Sequence, residues 1–239
     1  MEQCGICGSH KKICHACGAE LHKRFDDFIV RAEVIYAIFM AWGYASSAEA
    51  VIKAQNWGTF PLLVISTFIL IRFFFAPTRN LYTAALLAEK RKEWRWIVFI
   101  FDFPILIFHS FAYYTMCIAV AGGNENAYRF FQWLIILLSA NIIWLISIAV
   151  RMRISSRHKH FWTFIKWCIN NAVSIVLFYA AFSIFSGNAG AFFEFFITKK
   201  LPFVVNPSSL IYWAFFWIAL INCCLDVILT ASDYLGFDT

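Results

Sequence analysis

Residues 128–150 read Tyr-Arg-Phe-Phe-Gln-Trp-Leu-Ile-Ile-Leu-Leu-Ser-Ala-Asn-Ile-Ile-Trp-Leu-Ile-Ser-Ile-Ala-Val, an apolar run whose one charge, Arg129, stands at its leading edge. About 20 such residues, wound as a helix, match the hydrocarbon thickness of a bilayer. Nothing in the run alternates with the period of two that a membrane strand requires. Working outward, similar runs bounded by charge or Gly/Pro occur at 28–51, 58–76, 94–121, 161–186 and 208–231. The 239-residue chain is 62% apolar, 14% charged and 20% aromatic, with a mean hydropathy of +0.68. That is more apolar surface than a soluble core of this size can hide. The expected fold is all-α: a polytopic bundle of six membrane spans over residues 25–239.

Charge sets the expected orientation. Of the twenty Lys and Arg, sixteen fall in the N-terminal tail through Arg31, in 72–95 and in 151–166, all of which six spans place on one side; Lys53, Arg129, Lys199 and Lys200 fall on the other. The positive-inside rule puts both termini in the cytosol, the bacterial inner membrane being the expected location if the source is a bacterium. The start of the chain is polar and cysteine-rich, without the pattern of a cleaved signal, so its N-terminus is expected to be retained. Residues 77–92 read as an amphipathic cytosolic half-helix lying against anionic headgroups. In the last outer loop, the break at 186–190 and the segment Phe192-Phe-Glu-Phe-Phe196 fit an interfacial helix or a re-entrant dip.

The first seventeen residues carry Cys4-Gly-Ile-Cys7-Gly and Cys14-His-Ala-Cys17-Gly. Each Cys-x-x-Cys turn presents two thiolates to one tetrahedral ion, and Gly8 and Gly18 relieve the backbone behind each pair. Residues 1–24 resemble the small zinc-ribbon knuckles that bacterial proteins carry at one end, often ahead of membrane helices. The resemblance implies structural zinc on Cys4, Cys7, Cys14 and Cys17 with no open coordination position; a redox dithiol or an iron site is the alternative. Thiolates that hold zinc must stay reduced, which independently favours a cytosolic N-terminus. Cys117, Cys168, Cys223 and Cys224 lie in apolar runs and read as small hydrophobes.

Ionisable groups within spans are costly unless paired or wetted, so function would show there. At about 1.5 Å per residue, Glu33, Arg72, Asp102, Lys166 and Asp226 come out roughly 10 to 12 Å inside the cytosolic ends, with Arg31 near the same level. One reading pairs them structurally, Arg72 with Asp102 and Lys166 with Asp226. A second lines a wet vestibule or ligand pocket with them, and a third lets them snorkel to the interface. Asp102 and His109 are two helical turns apart on one face, with Pro104 between them loosening the backbone ladder. His109 would be either a proton relay or a neutral hydrogen-bonding residue between helices. Asn141, Asn170, Asn171 and Asn222 extend this polar interior and read as helix glue. Glu49 with Lys53, and Glu125 with Arg129, read as i,i+4 pairs at outer helix ends.

Several classes are excluded. The fourth span lacks the regular Arg spacing of a voltage sensor, and the chain has no Thr-Val-Gly-Tyr-Gly filter, nucleotide loop, His-Glu-x-x-His or Gly-x-Ser-x-Gly. An enzyme would have to be built from Asp102, His109 and Asp226 without a metal motif. The plan resembles, in architecture only, the loose class of bacterial membrane accessory and effector proteins, antiphage defence included. The expectation is a self-associating membrane sensor, effector or channel-like assembly. Its zinc knuckle is structural, and its basic cytosolic face meets a protein partner or anionic lipid rather than a specific nucleic acid. If it conducts, the pore would be lined by Asp102, His109, Asn141, Asn170 and Asn222. The alternatives are a membrane-embedded enzyme or transporter with a cavity near Asp102 and His109, or a scaffold recruiting a cytosolic partner.

Overall fold

A computed structural model describes residues 15–53, 59–91, 93–122, 126–154, 161–185, 217–222 and 224–225, with the backbone alone at 15–26, 75, 89–90 and 184–185. Among these, nearly every residue is helical and none is in a strand. The helices are α1 (His15–Lys53), α2 (Phe60–Lys90), α3 (Trp94–Ile97), α4 (Phe103–Ala121), α5 (Ala127–Ile154) and α6 (Phe161–Phe185), with a π-helical turn, Val98–Asp102, joining α3 to α4. Five helices are long and apolar enough to cross a membrane, those containing 27–53, 60–88, 94–121, 127–154 and 161–183. Of the sixth run, 208–231, only 217–222 and 224–225 are described, and they are helical.

The bundle is built outward from α4 and α5. α5 packs against α6 and α4, α4 against α1, and α2 lies across α1, α4 and α5. Small residues set the closest approach: a Cβ on Gly43 of α1 would stand 2.9 Å from the Tyr114 Cα of α4. The two backbones meet there because Gly43 has no side chain, as at close helix crossings in membranes. The outward faces carry Val30, Ile38 and Trp42 on α1 and Trp162, Ile169 and Val176 on α6, all more than half exposed. Such faces suit lipid rather than water.

Two prolines shape the interior. Pro77 lies inside α2, and with no N–H it cannot bond the carbonyl four residues back, that of Phe73. The buried Tyr36 hydroxyl of α1 donates to that carbonyl instead. The helix therefore continues to Lys90. This corrects the separate interfacial half-helix expected at 77–92, because Leu81, Ala84, Ala85, Leu87 and Ala88 are buried in protein. Pro104 acts in the same way near the start of α4: the Phe103 N–H reaches back five residues to Val98, giving the π-turn. The loosened ladder expected between Asp102 and His109 lies instead on the N-terminal side of Asp102, and Phe103–Ala121 is regular α-helix.

α1 is one helix of 39 residues from His15, so the expected boundary at residue 24 falls inside it, with Cys17 in its first turn. Cys4, Cys7 and Cys14 lie outside the described residues, as do Cys223, Asp226 and Glu125. The i,i+4 pair of Glu49 and Lys53 forms at the end of α1; of the pair expected between Glu125 and Arg129 only Arg129 is described, and its Nε donates to the Tyr128 hydroxyl at 2.9 Å.

Candidate functional site

Asp102 is the centre of one buried group. Its carboxylate has no exposed surface and accepts from Arg151 Nη1 at 2.7 Å on Oδ2 and from Arg151 Nη2 at 2.6 Å on Oδ1. The Trp144 indole N–H also donates to Oδ1, at 2.7 Å. Two parallel bonds from a guanidinium fork and a third from an indole satisfy a charge that the bundle interior would otherwise reject. This corrects the pairing of Asp102 with Arg72. Phe73, next to Arg72, lies against the His109 ring with centroids 5.8 Å apart. His109 is two turns beyond Asp102, so Arg72 sits about 10 Å along the helix from the level of Asp102. Arg151 was counted with the cytosolic loop charges, yet only 4% of it is exposed.

The expected sharing of a face by Asp102 and His109 is present, and Trp144 is what they share. The His109 ring centroid is 5.5 Å from that of Trp144. Its Nδ1 lies 2.6 Å from the Ile105 carbonyl oxygen, and its Nε2 has no hydrogen-bond partner among the described residues. With Nδ1 against an acceptor, the proton belongs on Nδ1 and Nε2 is the lone-pair nitrogen.

Arg72 organises a second group. Its Nη1 donates to Asn222 Oδ1 and its Nη2 to Asn171 Oδ1, both at 2.7 Å. Because a guanidinium only donates, it fixes which end of each amide faces it. The Asn222 nitrogen is left to donate to Asn170 Oδ1 at 2.9 Å, and the Asn170 backbone carbonyl accepts from Ser174 at 2.6 Å. α2, α6 and the helical residues 217–222 are thereby joined through side chains. A small cavity lies alongside, lined by Arg72, Phe73, Ala76, Asn141, Leu145, Trp167 and Asn171.

The remaining expected residues are scattered. Lys166 and Arg31 are exposed and Glu33 is half-buried; Asp226, and with it the Lys166–Asp226 pair, lies outside the described residues. The helix-glue reading describes Asn170, Asn171 and Asn222 well. Arg151, Trp144, Tyr36 and Ser174 were missed. The seven-residue spacing of Trp144 and Arg151 on one face of α5 was the available signal for two of them.

At one end of the bundle, guanidiniums lie on rings: Arg79 on Trp167 at 5.2 Å, Arg91 on Trp94 at 5.1 Å and Arg153 on Phe161 at 5.7 Å. Such contacts hold cations beside an interface while leaving N–H edges for other acceptors. Among the described residues no three His, Cys, Asp or Glu side chains are placed to hold a metal. Compared with protein families, with curated proteins and with solved structures, the chain matches none.

Proposed function

We propose that this chain is an integral membrane sensor or effector that self-associates, with both termini and its arginine-rich end in the cytosol. The observation that carries this reading is how tightly the polar groups of the interior are packed among the described residues. Asp102 is fully engaged by Arg151 and Trp144, and the cavity beside Arg72 offers the centre of a water only about 10 Å³. That is far below the several hundred Å³ of a substrate pocket. Work is then done at the ends of the bundle, where the exposed Arg91 and Arg153 can meet anionic headgroups or an acidic partner. The knuckle of Cys4, Cys7, Cys14 and Cys17 would supply a structural zinc site, with Cys17 in the first turn of α1, so that a docked partner pulls directly on the first span.

The test is native mass spectrometry of the full chain in nanodiscs, with metal analysis. One zinc per chain and a discrete oligomer are expected; a metal-free monomer overturns the proposal. A channel or transporter is the second reading, favoured by His109 Nε2, which is buried without a hydrogen-bond partner among the described residues. Liposome flux checks it: an Asp102→Asn variant, with the Arg151 clasp weakened, should leak if the clasp is a gate.

A further inference from the structure

We infer that the cavity between α2, α5 and α6 is a built site for one ordered water, which completes a directed hydrogen-bond chain from Arg72 through Asn171 to Asn141. Size selects the ligand. About 10 Å³ open to a water's centre is room for an ordered water and far too little for a drug-sized solute. Polarity selects it as well. Asn171 is fully buried and Asn141 is 4% exposed, yet Asn171 Nδ2 and Asn141 Oδ1 have no hydrogen-bond partner among the described residues. Both residues line the cavity.

The two atoms are of opposite kind, and that follows from the neighbour. Arg72 takes the oxygen of Asn171, so the amide must turn its nitrogen elsewhere, and a water accepts from it. The same water donates to Asn141 Oδ1. Donors then run in one direction, Arg72 to Asn171 to water to Asn141, and each bond polarises the next. The chain stitches α2 to α6 to α5. A methyl-sized filling would leave two buried amide atoms unsatisfied, which is why the site is built for water rather than for packing. This inference stands apart from the sensor reading, since an anchor and a transporter would both use the site.

Hydroxyl-radical footprinting by X-ray pulses, which oxidises side chains next to bound water, tests it on the full chain in nanodiscs. Trp167 lines the cavity and is 3% exposed, while Trp144 is fully buried with its N–H on Asp102. Trp167 should be oxidised well above Trp144, and Ala76→Val, which fills the cavity from an apolar wall, should remove the difference. Equal protection of the two indoles, or labelling of Trp167 unchanged by Ala76→Val, overturns the proposal. Thermal unfolding of Asn141→Leu gives an independent sign: Tm falls if a water is lost and Asn171 is orphaned, and rises if the cavity is dry and only an unsatisfied oxygen is removed.

Discussion

Arg151 holds Asp102 in a two-pronged grip, each carboxylate oxygen receiving its own guanidinium nitrogen at 2.6 to 2.7 Å, and the pair ties the π-turn that precedes α4 to the C-terminal end of α5. Neither partner is more than 5% exposed. Removing one charge would strand the other in an apolar interior. Asp102→Asn or Arg151→Gln should therefore cost about 3–5 kcal/mol. The double replacement Asp102→Leu with Arg151→Met should recover most of that loss, because a packed apolar pair needs no solvation. Unfolding in detergent across this double-mutant cycle measures the coupling; additive losses would mean that the grip is not the source.

Trp144 supplies the third bond to the same carboxylate. Trp144→Phe keeps much of the packing against His109 but deletes the N–H, and a hydrogen bond to a charged group contributes about 1.5–3 kcal/mol. The loss should shrink markedly in an Asp102→Leu background, as read by the same unfolding measurement.

The hydroxyl of Tyr36 replaces the N–H that Pro77 lacks. Tyr36→Phe should destabilise the protein by about 1–3 kcal/mol, the cost of an unsatisfied buried carbonyl. In a Pro77→Ala background the backbone satisfies Phe73 itself, so the acceptor's share of that penalty should vanish. An equal effect of Tyr36→Phe in both backgrounds would contradict this account.

At the crossing of α1 and α4, a Cβ on Gly43 would stand 2.9 Å from the Tyr114 Cα, a backbone atom that cannot swing aside. Gly43→Ala should cost about 1–3 kcal/mol through overpacking, and Gly43→Leu more. Lowered Tm together with weakened cross-linking between cysteines placed on the two helices would report the separation.

A test of the zinc knuckle must leave α1 whole, since that helix begins at His15 and deletion of residues 1–24 would cut into it. Cys4→Ser and Cys7→Ser fall ahead of His15 in the sequence. Each should lower bound zinc, measured by elemental analysis, and abolish capture of a cytosolic partner while membrane insertion persists. Zinc content equal to that of the parent protein would remove these thiols from the ligand set.

What the sequence determined is local. Hydropathy over about 20 residues marks a helix long enough to span, and it marked 28–51, 94–121, 128–150 and 161–186 closely. Spacing along one helix placed Asp102 and His109 on a common face, paired Glu49 with Lys53 and flagged the loosening at Pro104, though on the wrong side of Asp102. These properties belong to one segment and need no neighbour. What the tertiary structure decided is which segment meets which, and at what height. Averaged hydropathy does not change when a helix slides or rotates, so it could not tell that α2 runs on through Pro77, that Arg72 stands two turns away from Asp102, or that Arg151 belongs to the interior. Asp102 and Arg151 are 49 residues apart, and Arg72 and Asn222 are 150 apart. Their meeting depends on the π-turn, on the approach of α1 to α4 at Gly43 and on the amide orientations that Arg72 imposes, because a buried charge selects its partner by distance and angle rather than by composition.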